Sequence, residues 1–338
     1  IFSNLKNQRQ MGNAGSSSQS KSEELFKANK QKSNNVSKRM HRMNPHTEVP
    51  PQLNSREFER LQDLGKGGEG LVYKAFWKSR DKNVVVKCLL NLVEAERLRE
   101  LIALASLRHH GLPSLYGFFH NGDHGNLNLV MEWCEGGSLR RFLSSPEGKS
   151  ASPEVLHTIA FQIAKVMQYL HHDRGEVWIH RDLKPENILV RSDPKELRSN
   201  MICIADLGLA RSSSFSNMQT EHYGGTWQYK APEGYSSDYT EKVDIYSFGV
   251  ILWEMLTGKV PFANLQRNRS ATPPLIPVDE IPSDCSPALH QLVASCCDMD
   301  PQKRPTFHSI STCLAQLLQQ TQVQSPQQSQ QQSPQQSQ

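Results

Sequence analysis

Ile179-His180-Arg181-Asp182-Leu183-Lys184-Pro185-Glu186-Asn187-Ile188-Leu189-Val190 is the densest mixture of charged and apolar side chains in the chain. A charged surface loop is the plain account of such a run. Asp182, Lys184 and Asn187, however, put a base, a cation and a metal-binding amide within six residues. Downstream, Ile202-Cys203-Ile204-Ala205-Asp206-Leu207-Gly208 ends an apolar strand on a carboxylate just before a glycine. Asn187 and Asp206 both offer oxygen donors, which suit a hard octahedral Mg²⁺ brought in with a nucleotide.

Upstream, Gly65-Lys66-Gly67-Gly68-Glu69-Gly70-Leu71-Val72 spells G-x-G-x-x-G-x-V, whose glycines let backbone amides approach phosphate closely. A dinucleotide fold needs a helix directly after such glycines, and a Walker loop needs a closing Gly-Lys-Ser/Thr. Neither follows, because Leu71 to Phe76 continues as a strand. Lys87 ends the β-branched run Val84-Val85-Val86, so the pleat turns its amine to the face opposite Val86. An acidic partner would hold it there, and the next helix offers Glu94, Glu96 and Glu100. Glu100, nine residues before the His109 break, is the preferred one.

The order of these motifs, closed by Ala231-Pro232-Glu233, resembles the eukaryotic protein kinase superfamily over about residues 58 to 318. Gly225-Thr226, Ile251-Leu252-Trp253-Glu254-Met255-Leu256-Thr257-Gly258, Asp300-Pro301 and Arg304-Pro305-Thr306-Phe307 look most like its tyrosine-kinase-like group. Lys184 is similar to the residue of Ser/Thr kinases. The resemblance implies an α+β bilobal kinase fold, with a β-rich N-lobe over about 58–132, a linker at 132–137 and a helical C-lobe at 138–318. It also implies a cleft where ATP and Mg²⁺ meet a protein substrate. In it Lys87, paired with Glu100, would hold the α and β phosphates, Asn187 and Asp206 the metal, and Asp182 would take the substrate hydroxyl's proton. Lys184 would offset charge on the phosphate in transit. The loop Leu64, Gly65, Lys66, Gly67, Gly68, Glu69 and Gly70 would cover the nucleotide, with Val72, Val85 and Leu189 as apolar walls. Met131 would be gatekeeper, and Glu132 to Cys134 the linker beside the adenine.

Further implied matches are structural. Leu104, Leu115, His180 and Leu207 look like an apolar column, Glu233 would pair with Arg304, and Asp244 would anchor the catalytic loop, since a charge in an apolar helix needs a partner. Thr226 is expected to contact the catalytic or substrate loop. Arg181 is expected to pair with a phosphate on the segment from Asp206 to Glu233, where Ser212, Ser213, Ser214, Ser216, Thr220 and Tyr223 are candidate acceptors. Leu207 stands where the family has Phe, Glu69 adds negative charge to the loop tip, and Asp193 to Asn200 reads as a longer hairpin loop. A pseudokinase scaffold is the alternative class, and retention of the lysine, the base and the metal aspartate weighs against it.

Local patterns agree with a β-rich part followed by a helical one. Leu71, Tyr73 and Ala75 alternate, Ser79 to Asn83 reads as a turn, and Leu115 to Phe119 and Leu127 to Met131 flank Asn121 to Gly125. Leu98, Leu101, Ile102 and Ala105 recur at helical spacing. Ser152 as N-cap and Pro153 at the first helical position predict a helix through Leu170, with Gly175 past its end. Thr240 as cap and Gly258 as stop predict a second, buried helix.

The chain has 338 residues with net charge +4, and mean hydropathy is −0.58. Residues 1 to 56 hold ten basic and three acidic side chains, leaving 28 basic against 31 acidic in the rest. The pI of about 8.6 therefore reflects an N-terminal arm and gives no reason to expect a nucleic-acid partner. Residues 1–57 and the repetitive Ser-Pro-Gln tail 319–338 read as disordered. Seven cysteines without zinc-ligand spacing read as reduced core thiols, and no apolar run is long enough to span a bilayer. These features predict a cytoplasmic protein. Met11-Gly12-Asn13-Ala14-Gly15-Ser16 matches the myristoylation pattern; with Met11 as the start, an acyl chain on Gly12 and the basic arm would give membrane surface contact.

Overall fold

The computed structural model describes residues 38, 40, 48–66, 70–90, 94–121, 126–172, 176–191, 201–207, 210–212, 226–236, 238–264 and 275–324. The chain divides into two compact units, one of residues up to 106 with 114–133, the other of 107–113 with 134 onward. Together they make the α+β class expected.

The first unit is an antiparallel sheet of β1 (Phe58–Lys66), β2 (Gly70–Trp77), β3 (Lys82–Leu89), β4 (Leu115–Asn121) and β5 (Asn126–Glu132), in the order β1-β2-β3-β5-β4, with α1 (Glu94–Ser106). The β2–β3 turn is a short 3₁₀ segment, Lys78–Arg80, closed by Asp81 at φ 48. β-Branched Val84 and Val86 point to one face, where they pack with Tyr73, Ala75, Trp77, Phe119 and Val130. The opposite face is left for Lys87.

The second unit contains β6 (Gly137–Ser138), α2 (Leu139–Ser144), α3 (Pro146–Lys149), α4 (Pro153–His171), β7 (Trp178–Ile179), β8 (Ile188–Val190), β9 (Ile202–Ile204) and β10 (Arg211–Ser212). The helices α5 (Lys242–Thr257), α6 (Pro287–Cys296) and α7 (Phe307–Gln324) complete it. Ser152 caps α4 as predicted, accepting from the Val155 amide at 3.4 Å. Of the apolar stripe Val155, Ile159, Ile163, Val166 and Leu170 that the sequence places on this helix, all but the half-buried Val155 are buried. Every residue of α5 from Val243 to Met255 is buried, so this helix is the unit's core, and Gly258 ends it at φ 68.

Four boundaries differ from the sequence reading. The α5 helix begins at Lys242, with Glu241 at the cap, because Val243 and Asp244 make i to i+3 bonds back to Thr240 and Glu241 in a tighter first turn. Thr240 still serves this end, its hydroxyl accepting from Lys242 N at 3.4 Å. Within the arm expected to be disordered, Met40 is helical and fully buried. Residues 51–53 also lie along β4, Leu53 N donating to Phe118 O at 2.8 Å and Phe118 N to Pro51 O at 3.0 Å. At the other end α7 runs to Gln324, past the boundary at 318. Apolar side chains explain the first departures: Met40 gains burial that its polar neighbours cannot. Asp193 to Asn200, Gly175, Met11 to Ser16 and Asn121 to Gly125, except Asn121, lie outside the described residues.

Candidate functional site

In the first unit the strand register collects one group of site residues. Val72 stands opposite Lys87, and Val85 opposite Met131, so the pleat puts all four on one sheet face. Lys87 Nζ meets Glu100 Oε1 at 2.7 Å, and both side chains are buried. Glu100 is therefore the partner among the three glutamates that helical spacing offered. Removing one member of such a buried pair typically costs about 3–5 kcal/mol, because the other charge is stranded.

Among the described residues of the glycine-rich hairpin, Gly70 is where space dictates glycine. A Cβ on Gly70 would lie 1.8 Å from the Cys88 carbonyl oxygen, so β2 can approach β3 here only without a side chain. Gly65 is exposed, Leu64 is 40% exposed, and Lys66 pairs through its backbone with Leu71. Gly67, Gly68 and Glu69 lie outside the described residues. Glu132 is engaged locally: its Oε2 accepts from Ser114 N at 3.2 Å.

In the second unit the site is built on α5. Asp244, wholly buried, accepts from His180 N and Arg181 N at 2.8 Å each and contacts His171 Nε2 at 2.9 Å. Burial alone would push its carboxyl pKa up; the hydrogen bond to the neighbouring His171 imidazole and the backbone donor at Arg181 bring it below the ordinary value. The residue is the anchor expected from its place in an apolar helix. His180 then spans the loop, Nε2 reaching Ala205 O at 3.1 Å and Nδ1 accepting from Asp182 N at 3.3 Å. That pattern matches the neutral Nε2–H tautomer.

Three donors orient the Asp182 carboxylate. Lys184 Nζ lies 2.6 Å and Asn187 Nδ2 3.0 Å from Oδ2, while Thr226 N donates to Oδ1 at 3.1 Å. Lys184 also donates to Thr226 Oγ1 at 2.9 Å, so Thr226 makes the catalytic-loop contact its place in the motif implied. Ala205 N donates to Asn187 O at 2.8 Å, which ties the strand end before Asp206 to the loop.

Arg181 and Asp206 adopt left-handed backbone at φ 71 and φ 63, a conformation costing non-glycine residues about 1–3 kcal/mol and found at sites whose surroundings over-determine it. Asp206 is exposed, Leu207 behind it is buried, and Leu189 is half-buried on β8. Cys134 is buried and its carbonyl accepts from Gly137 N at 3.4 Å. Asn187 commits its NH₂ group to Asp182, which leaves Oδ1 as the donor end for a cation; with the exposed Asp206 carboxylate this is a hard oxygen set that fits Mg²⁺. Glu233 pairs with Arg304 through two bonds of 2.5 and 2.9 Å, with Arg304 buried.

A cluster that sequence reasoning missed surrounds Arg140. Its guanidinium contacts Glu254 and Tyr229, and its Nε donates to Glu186 Oε1 at 2.8 Å. Tyr229 OH donates to Glu254 Oε2 at 2.7 Å. In sequence Glu254 stands out only within the run Ile251 to Gly258, although a charge inside a helix expected to be buried was a signal that a partner existed.

The protein kinase domain family matches residues 58–316. Mitogen-activated protein kinase kinase kinase 10 of Homo sapiens is 34% identical over 298 residues, covering 82% of this chain and 30% of its own length. Mitogen-activated protein kinase kinase kinase 11 of Homo sapiens is 36% identical over 285 residues, covering 77% and 32%. The putative mitogen-activated protein kinase kinase kinase 7-like of Drosophila melanogaster is 33% identical over 264 residues, covering 75% and 64%. The chain thus spans about a third of the first two relatives and under two thirds of the third. With a matching domain over most of its length, the chain belongs to the protein kinase family, in the tyrosine-kinase-like group, and carries a domain that uses ATP and a divalent metal.

Proposed function

We propose that this chain is a serine/threonine protein kinase of intracellular signalling, transferring the γ-phosphate of Mg-ATP to hydroxyls of a protein substrate. The observation that carries this reading is the Asp182 carboxylate, held by Lys184, Asn187 and Thr226 in one orientation. A base so fixed can accept the proton of a substrate hydroxyl, a contribution typically worth about 10² to 10⁴ in rate. Lys87, braced by Glu100, binds the α and β phosphates, and Lys184 balances charge on the transferring group. Asn187 and Asp206 hold Mg²⁺, which when bound neutralises charge on the phosphate oxygens. In the first unit Val72, Val85 and Met131 offer the base of the nucleotide an apolar sheet face, and in the second Leu189 offers a further apolar side chain; the Glu132 to Cys134 linker and the Leu64 to Gly70 loop would complete the nucleotide's contacts.

The relatives' names describe enzymes that act on a protein kinase kinase, so a substrate that is itself a kinase is the first to try. Arg181 serves control by a phosphate on the segment after Asp206. Of the candidate acceptors only Ser212 lies among the described residues, its backbone paired with Trp178. The working location is the cytoplasm, with membrane contact if Gly12 is acylated. The test is incorporation of labelled phosphate by purified protein with Mg-ATP and a generic protein substrate. Transfer abolished in Asp182→Asn is expected; no transfer by the wild type in any phosphorylation state would identify a scaffold instead.

A further inference from the structure

The Arg140 cluster joins three pieces of the second unit that carry different parts of the reaction. One is the loop 182–187, reached through Glu186; another is the segment 226–229, reached through Tyr229; the third is α5, reached through Glu254. Each of the first two leads to Asp182 by a short path. Glu186 is bonded in sequence to Asn187, whose amide donates to both Asp182 O and Asp182 Oδ2. Tyr229 N donates to Thr226 O at 3.1 Å, and Thr226 N donates to Asp182 Oδ1. The two strands of contact therefore leave one guanidinium and close on one carboxylate.

We propose that Arg140 is a positioning residue for phosphoryl transfer, setting the separation between the Asp182 loop and Thr226 by clamping Glu186 and Tyr229 against Glu254. This rests on the kinase reading above and adds to it a residue outside the family motifs quoted. The physical argument is the shape of the guanidinium. Its planar fork presents five donors in fixed directions and can serve three acceptors at once, which a lysine ammonium on a flexible stem cannot do with the same geometry. The cluster is also poorly explained as a stabilising device. Two carboxylates draw on one cation, and burial holds the Glu254 carboxyl above its ordinary pKa, the mark of a charge that is expensive to keep. What such a cluster supplies is direction.

A displacement of about 1 Å at a reacting group can cost about 10²-fold in rate, so loosening the clamp should act on turnover before it acts on nucleotide binding. The experiment compares wild type, Asp182→Asn, Arg140→Lys and Glu186→Gln by steady-state kinetics well below the melting temperature, with thermal melting alongside. Arg140→Lys retains the charge that Glu254 needs, and Glu186 is partly exposed, so both should fold. The expected result is kcat lowered about 10- to 100-fold in Arg140→Lys and about 3- to 10-fold in Glu186→Gln, with KM for ATP within about twofold of wild type. Arg140→Lys combined with Tyr229→Phe should cost less than the product of the single effects, because the arginine reaches the 226–229 segment through the tyrosine hydroxyl. Backbone hydrogen exchange should rise at 182–187 and 226–229 in Arg140→Lys. Wild-type kcat in both clamp variants, or a lowered melting temperature with kcat and local exchange unchanged, would overturn the positioning role while leaving the kinase reading intact. An inactive wild type would remove the kinase reading and this inference with it.

Discussion

Asp244 and Glu254 are buried carboxylates on the same helix, ten residues and about 15 Å apart along its axis, yet their surroundings drive them in opposite directions. Asp244 is held below its ordinary pKa and Glu254 above it. The cause is the kind of donor each receives. Asp244 faces two backbone amides and an imidazole, whose positions are set by the chain itself. Glu254 shares one guanidinium with Glu186 and adds a tyrosine hydroxyl, so its burial is only partly offset. One end of α5 thus fixes the catalytic loop at little cost, whereas the other spends stability on geometry.

The contrast makes predictions that rank by size. Replacing Asp244 with Ala leaves two backbone donors and His171 without their acceptor, and should lower unfolding free energy by about 3–5 kcal/mol in urea titrations. A loss under about 1 kcal/mol would mean that the anchor is not what holds the loop. Gly249 lies midway between the two carboxylates, and a Cβ there would come 2.6 Å from Cys297 Sγ and 2.7 Å from Cys296 Cβ. Gly249→Ala should therefore cost about 1–3 kcal/mol despite alanine's better helix propensity, with part of the loss recovered in a Cys297→Ala background. Unchanged stability would show that α6 can slide away from α5 freely.

Smaller effects separate the ends more finely. Glu254→Gln also turns an NH₂ toward its partners, but the Tyr229 hydroxyl can rotate to accept from it and an unfavourable charge is removed, so stability should stay within about 1 kcal/mol of wild type, whereas Asp244→Asn, which sets an NH₂ against fixed backbone donors, should lose about 2–3 kcal/mol. Equal losses would erase the distinction drawn here. The pH dependence should differ in sign. Asp244, lowered from 3.8, contributes stability that is present above that value and lost as pH falls through its folded pKa. Glu254, raised from 4.5, binds its proton more tightly when folded, so its cost fades as pH falls from its folded pKa toward 4.5. The gap between Glu254→Gln and wild type should shrink on the way down to pH 4.5, and that between Asp244→Asn and wild type only below 3.8. Urea midpoints from pH 7 to 3 in which both gaps close over one and the same pH range would show that the two carboxylates are alike.

Asp244 was legible because an aspartate amid apolar neighbours demands a partner, and the same rule applied to Glu254 would have called for a cationic partner. It could not have named Arg140, which is 114 residues away and whose sequence neighbour Arg141 carries the same charge. Lys87 shows the same limit, since the next helix offered Glu94, Glu96 and Glu100, and the preferred Glu100 became the partner only on the packing of α1, which brings it to 2.7 Å. The ends of the fold were drawn too tightly for a related reason. Residues 51–53 carry little pattern of their own and become ordered by bonding to β4.

Read alone, the amino-acid order determined the strands, the capped helices, the glycine hairpin and the motif series that marks a kinase, because alternation, capping and turn chemistry act over a few neighbouring residues. Tertiary structure alone decided which donors orient Asp182, and that one arginine ties α2, the catalytic loop and α5 together. Those choices depend on distances through space between residues far apart in the chain, and hydrogen bonds and ion pairs fall off too steeply with distance and angle for spacing in sequence to reveal them.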